Sequence, residues 1–243
     1  MIIVSKTHIG NVRSTNEDFV MVRCDAKPKY MLVADGMGGA AAGEIASKIA
    51  AFSVRQYIEG LRLEKLTPAD LIGAVSYANN QIVTETMYNE RLRGMGTTMT
   101  LAAIEANRII VAQVGDSCAY LYTRKQLHKI TKDHTYVQSL IDSGLLEKSQ
   151  AEDNPFKNII TRCVGMNDLI VDTYDITWNK NDILLLCTDG LTVHVGEQDI
   201  LKVAASPAPL EDKADSLLAY ALERGGRDNI SIVIAQNSPE EAL

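Results

Sequence analysis

Five aspartates stand where apolar runs begin or end. Tyr30-Met31-Leu32-Val33-Ala34 stops at Asp35-Gly36, Asn181 to Thr188 leads into Asp189-Gly190, and Ile109 to Val114 ends in Gly115-Asp116. Asp18 and Asp228 precede the strand-like runs Phe19 to Val22 and Ile230 to Ala235. Short apolar runs of this kind read as buried strands, so each carboxylate is expected at a strand mouth. One Asp-Gly pair alone is either a hairpin turn or a site, because Asp-Gly is also a common turn dipeptide. Recurrence favours the site. Carboxylates gathered at one point repel by roughly 4 kcal/mol per pair at 4 Å and an effective dielectric near 20, so such a cluster calls for cations. Carboxylate and carbonyl oxygens suit Mg2+ or Mn2+ rather than zinc.

Other polar residues remain ambiguous at this level. Arg13, in the loop Arg13-Ser14-Thr15-Asn16-Glu17-Asp18, is either an exposed surface charge or a two-pronged grip on phosphate. Asp116 is either a turn former or a ligand. His8, His128, His134 and His194 fall in no metal-binding or triad-like spacing and are read as surface or packing residues.

The elements that must position these groups follow from pattern. Ile2 to His8 is expected as an edge strand. Small residues from Ala40 to Gly43 open a helix with Ile45, Ile49 and Phe52 on one face, read as core packing, and with alanines that permit close packing against a sheet. Thr67-Pro68-Ala69-Asp70 is an N-cap, a proline at the first helical position and a capping acid; it opens a helix with a Leu71, Val75, Ala78, Ile82 stripe. Strands Thr97 to Ile104, Arg108 to Val114 and Ala119 to Thr123 are joined by hairpin-length loops. Short helical pieces over Tyr136 to Ser143 and Glu147 to Asp153 come next, then strands over Asn158 to Val164 and Leu169 to Ile176. A helix from Leu210 to Arg224 turns Ala214, Leu217 and Ala221 inward. Strands in two groups with helices between and after them favour an α+β class built on antiparallel sheets.

The 243 residues, 46% of them hydrophobic, suffice for one sizeable core. A net charge of −7 argues against a nucleic-acid surface, and no apolar run reaches the length of a membrane span. Cys24, Cys118, Cys163 and Cys187 form no C-x-x-C pair, which reads as four reduced thiols in a soluble, cytoplasmic protein.

In order along the chain, Arg13-x-x-Asn-Glu-Asp18, Val33-Ala-Asp-Gly-Met-Gly-Gly39, Gly94-Met-Gly-Thr-Thr98, Val114-Gly-Asp-Ser117, Asn158-Ile-Ile-Thr-Arg162, Thr188-Asp-Gly-Leu191 and Gly226-Arg-Asp-Asn229 together resemble the metal-dependent protein phosphatase 2C family in its short bacterial form. The resemblance implies a four-layer αββα sandwich of two antiparallel sheets flanked by helices, with residues 1–243 as one catalytic domain and a flap over about 134–162. It implies that Asp35 bridges two Mn2+ or Mg2+ ions, that Asp189 and Asp228 complete the first, and that the Gly36 carbonyl serves the second. Asp18 would hold a metal-bound water, Arg13 the substrate phosphate, and Asp116 with Asp189 a third ion. Phosphorylated proteins are the implied substrates, a Ser/Thr kinase the counterpart, and a monomer the expected state. Met37, Cys118, Val193 and Asn154 depart from residues frequent in the family, without removing an implied ligand. Two other functions compete: a catalytically dead phosphoprotein-binding module, which the intact aspartates oppose, and a hydrolase of small phosphoesters.

Overall fold

The computed structural model describes residues 1–38, 42–151 and 154–238. In chain order the elements are β1 (Ile2–His8), β2 (Asp18–Arg23), β3 (Lys29–Met37), α1 (Ala42–Leu61), α2 (Pro68–Tyr88), β4 (Gly96–Thr97), β5 (Met99–Ile104), β6 (Arg108–Val114), β7 (Cys118–Thr123), β8 (Gln126–Lys129), α3 (Tyr136–Asp142), β9 (Asp172–Thr177), β10 (Ile183–Cys187), α4 (Asp189–Thr192), α5 (Glu197–Ala205), α6 (Leu210–Glu223) and β11 (Ile230–Gln236). One sheet runs β1-β11-β10-β7-β8; the other runs β2-β3-β5-β6-β9, with the short β4 paired to β3. Every pairing is antiparallel.

Alternation along single strands shows how the layers stack. In β3, Tyr30, Leu32 and Ala34 face the helices α1 and α2, while Met31 and Val33 face the opposite sheet. In β10, Ile183 and Leu185 join the core under α5 and α6, and Leu184 and Leu186 point between the sheets. Both faces of each sheet are thus covered, which is why these antiparallel strands read as unbroken apolar runs rather than as alternating ones. The four-layer αββα sandwich expected from the sequence is the observed architecture.

The second helix forms as read: Thr67 and Asp70 make a reciprocal capping box, Pro68 begins the helix, and Leu71, Val75, Ala78 and Ile82 are buried. The inner face of α1 is a correction. Phe52 is exposed and Ile45 and Ile49 only border the core, whereas Ala42, Ala46, Ala50, Ala51, Val54 and Ile58 are buried. The alanines let the helix approach β3 closely; Phe52 stays outside, its ring 5.5 Å from that of Phe19. Asn158 to Val164 is a second correction. It forms no strand; single bridges, Thr135 to Ile160 and Thr97 to Val164, and the Arg162–Asp172 ion pair tie it down. Its two apolar isoleucines have no adjacent sheet edge to join. The last strand before β10 spans Asp172–Thr177 rather than starting at Leu169. From Glu147 on, one 3₁₀ turn over Lys148–Gln150 replaces the longer helical piece. The expected end of that piece at Asp153, and the approach to α1 from Gly39 through Ala41, lie outside the described residues. All four cysteines are free thiols.

The register of β1 against β11 pairs His8 with Ile230 and Ile2 with Gln236. Asp228 precedes β11, so the carboxylates gather at the His8 end. The first and last described residues meet at the other end, where the Met1 amine donates to the Ser238 carbonyl. Among the described residues no helix is long and apolar enough to cross a membrane.

Candidate metal centre

Asp18 and Asp35 sit directly opposite each other, the first at the start of β2 and the second near the end of β3. The backbone of Asp35 is fixed on every side. Its N–H donates to Thr98 Oγ1 at 3.0 Å, and its carbonyl accepts from Thr97 Oγ1 and Thr98 N at 2.8 Å each. Gly36 follows, its N–H donating to the Glu17 carbonyl; a Cβ there would lie 2.0 Å from the Gly43 carbonyl oxygen, so this Asp-Gly is a close crossing of strand and helix rather than a hairpin turn.

The second Asp-Gly is not a hairpin turn either. Asp189 and Gly190 open the one-turn helix α4, and a Cβ on Gly190 would fall 1.9 Å from the Asn229 carbonyl oxygen. Thr188, just before it, donates from Oγ1 to Asp18 Oδ2 at 2.8 Å and accepts from Ser231 N at 3.0 Å, linking the two sheets at the site. Asp228 ends the loop that enters β11. Its Oδ2 accepts from Arg13 Nη2 at 2.8 Å, so the predicted phosphate-gripping arginine is held at the rim of the acidic cluster with half of its side chain open to solvent.

Asp116 occupies the β6–β7 turn. On its far side Ser117 is tied down by Thr98 Oγ1 at 2.6 Å and by Thr100 Oγ1, which donates to its carbonyl. The structure therefore brings Asp18, Asp35, Asp189, Asp228 and Asp116 to one end of the sandwich, near enough that burial and mutual repulsion move the protonation of Asp18, Asp35, Asp116 and Asp189. Burial, then the charges of Asp189 and Asp228, pushes Asp18 up to about 7. Burial and the Asp189 and Asp133 charges push Asp116 up to about 7. Asp35, partly buried in β3, is raised well above the carboxylate range by desolvation and by the charges of the other four. Asp189 is raised by burial and by Asp228.

Three buried carboxylate oxygens in this cluster, Asp18 Oδ1, Asp116 Oδ1 and Asp189 Oδ1, have no hydrogen-bond partner among the described residues. Buried acceptors left bare cost free energy, and several in one acidic cluster match the donor set of a hard divalent cation. Among the described residues no three acidic, histidine or cysteine side chains are placed so that they could hold a metal ion together as they stand. An ion of the magnesium type is satisfied with one or two carboxylates, water and substrate phosphate supplying the rest. The residues present fit such ions.

Two residues matter more than their sequence context signalled. Asn229, 4% exposed, accepts from Glu17 N and donates to the carbonyls of Ile9 and Thr15, so it pins the Arg13 loop against β11. His134, expected as a surface or packing residue, is buried and bonded through both ring nitrogens. The motif Gly226-Arg-Asp-Asn229 was a usable sign for the first; nothing local marked the second. His8, His128 and His194 take no part in the acidic cluster, as expected. Of the departures from family residues, Cys118 is buried facing Cys187 with sulfurs 3.6 Å apart, and Val193 is exposed.

An αββα sandwich with aspartates from both sheets converging at one edge defines the metal-dependent phosphatase class. The chain matches the family described as Protein phosphatase 2C over residues 6–229. It is 35% identical to the serine/threonine phosphatase stp of Listeria welshimeri over 242 residues, covering 96% of this chain and 94% of that one. A crystal structure of a bacterial serine phosphatase superposes with a TM-score of 0.92 at 29% identity, covering 100% of both chains. The catalytic domain of the phosphatase PstP, solved in complex with two manganese ions, superposes with a TM-score of 0.85 at 32% identity over 97% of each chain. This chain belongs to the protein phosphatase 2C family.

Proposed function

We propose that this protein hydrolyses phosphoserine and phosphothreonine in protein substrates, using divalent cations held by Asp35, the Gly36 carbonyl, Asp189 and Asp228, with a further ion at Asp116 and Asp189. The observation that carries this reading is the set of bare, buried oxygens on Asp18, Asp116 and Asp189 within one cluster of five aspartates. A relative solved with two manganese ions supports Mn2+ as the first ion to test. When bound, the cations would supply a readily deprotonated water and neutralise charge developing on the phosphoryl oxygens.

The remaining work falls to the chain itself. Arg13, tethered to Asp228, offers its other guanidinium arms to the incoming phosphate. Asp18 spends Oδ2 on Thr188 and turns Oδ1 free, placed to orient an attacking water. Asp35, with its backbone locked by Thr97 and Thr98, holds the centre of the cluster rigid, so little reorganisation is needed when substrate binds. No protein nucleophile is required. We read residues 1–243 as one catalytic domain with 134–162 as its flap, a monomer acting in the cytoplasm opposite a Ser/Thr kinase.

The test compares a phosphothreonine peptide with a small phosphoester, each with Mn2+ and with chelator. Cation-dependent turnover favouring the peptide is expected, together with loss of kcat by orders of magnitude in Asp189→Asn and Asp35→Asn while the fold survives. Turnover by either variant at the wild-type rate under saturating Mn2+ refutes the metal assignment. Preference for the small ester points to the alternative substrate class.

A further inference from the structure

Asp116 is flanked by two anchors of different origin. Ser117 is held from within the core by Thr98 and Thr100. Gly115 is held by His134, which begins the 134–162 segment. The Gly115 N–H donates to His134 Nδ1 at 3.1 Å, and the His134 N–H donates to the Gly115 carbonyl at 2.9 Å; that carbonyl also accepts from Gln113 Nε2 at 3.1 Å, so among the described residues the N–H is the contact that His134 alone supplies. Gly115 has φ +100°, and a Cβ there would meet Thr98 Cγ2 at 2.6 Å, which leaves this turn a single tight path.

The ring is itself held from behind. Because Nδ1 accepts from Gly115, the neutral ring carries its proton on Nε2 and donates it to Asp172 Oδ2 at 3.0 Å. Arg162 Nη1 binds the other oxygen of Asp172 at 3.0 Å. It also lies 3.3 Å from Nε2, a contact between two donors and not a hydrogen bond. Arg162 closes the segment that His134 opens, and Thr161 N donates to the His134 carbonyl at 2.8 Å. Both ends of the segment therefore meet at one ring, and that ring grips the turn carrying Asp116.

We propose that His134 is a positioning residue for Asp116: it couples the placement of the 134–162 segment to the aim of the Asp116 carboxylate into the metal cluster. The role of Asp116 as a ligand rests on the function proposed above. The grip on Gly115 does not, and this separates the two in a test.

His134→Gln places its amide towards Asp172 and leaves Gly115 N–H without an acceptor, whereas His134→Asn sets Oδ1 near the position of Nδ1. In metal-free protein, amide hydrogen exchange at Gly115 is expected to speed up by about tenfold or more in His134→Gln and to remain close to wild type in His134→Asn. In the same pair, the Mn2+ concentration for half-maximal phosphopeptide turnover is expected to rise about tenfold in the Gln variant, with KM for the peptide unchanged, and to be restored in the Asn variant. Wild-type exchange and Mn2+ requirement in His134→Gln overturn the proposal, as does equal impairment of the Asn variant. Should Gln at 134 prevent folding, His134→Ala, which removes the acceptor for Gly115 N–H without adding bulk, is read by the same two measurements with shifts of the same sign. Asp116→Asn is run alongside. An unchanged Mn2+ requirement there refutes the ligand reading of Asp116, and the coupling with it, while the exchange rates still report the grip by His134.

Discussion

Arg13 illustrates what a single residue commits to before substrate arrives. One guanidinium arm is given to Asp228, and half of the side chain stays open to solvent. Lysine at 13 retains the charge and a bond to Asp228 but not a second, planar pair of donors. Arg13→Lys should therefore raise KM for a phosphopeptide by about tenfold, roughly 1.4 kcal/mol, with a smaller fall in kcat. An unaltered KM would make Arg13 a strut for Asp228 alone. The aspartates make a second prediction, for protein stripped of metal. Asp18 and Asp116 hold protons up to about 7 when folded, against an ordinary value of 3.8. A carboxyl that binds its proton more tightly in the folded state stabilises that state most at low pH, and the contribution fades as the pH rises through this window. In chelator, Tm should fall between about pH 5 and about pH 7.5. With Mn2+ the trend should reverse, because cations and protons compete for the same oxygens. A Tm that climbs with pH in chelator would mean that these carboxyls do not crowd one another.

At the scale of elements, the tightest fit is between the start of α4 and the end of the loop leading into β11. Gly190→Ala should cost ~1–3 kcal/mol, because its Cβ would need the space of the Asn229 carbonyl oxygen. For a chain of this size that lowers Tm by about 3–10 °C. Calorimetry checks it, and a variant as stable as wild type would show that the β11 loop yields freely. Elements were legible in the sequence where side chains speak for themselves. The capping box of α2 and its leucine and valine stripe were plain. The inner face of α1 was legible only in part: its alanines signalled a close approach to a sheet, but the larger Ile45, Ile49 and Phe52 were read as the buried face, because bulk carries more hydrophobic signal than alanine does. In α5, Ile200, Val203 and Ala204 at helical spacing behind Glu197 and Asp199 were a usable signal that went unread. Asn158 to Val164 misled because local β-pattern says nothing about whether a sheet edge is available.

The whole molecule explains why the acidic cluster was readable and its supports were not. Each of the five aspartates sits at a strand boundary, a feature visible from composition and runs alone. The groups that aim them come from distant parts of the chain: Thr98 for Asp35, Thr188 for Asp18, His134 for the turn of Asp116. Thr98 reaches Asp35 once β3 has paired with β4 and β5, and Thr188 reaches Asp18 only after the two sheets have come together. The meeting of Met1 with Ser238 at the end away from the aspartates has a further consequence. The first and last described residues lie side by side, and the place where they meet is remote from the aspartates. A chain joined there by a short flexible bridge and severed instead at Arg124-Lys125, where φ is positive at both residues of the β7–β8 turn, should fold and retain cation-dependent turnover near that of the natural order. Such a rearranged protein, assayed with the phosphothreonine peptide, would show whether the order in which the elements are made matters to the enzyme, or whether only their contacts do.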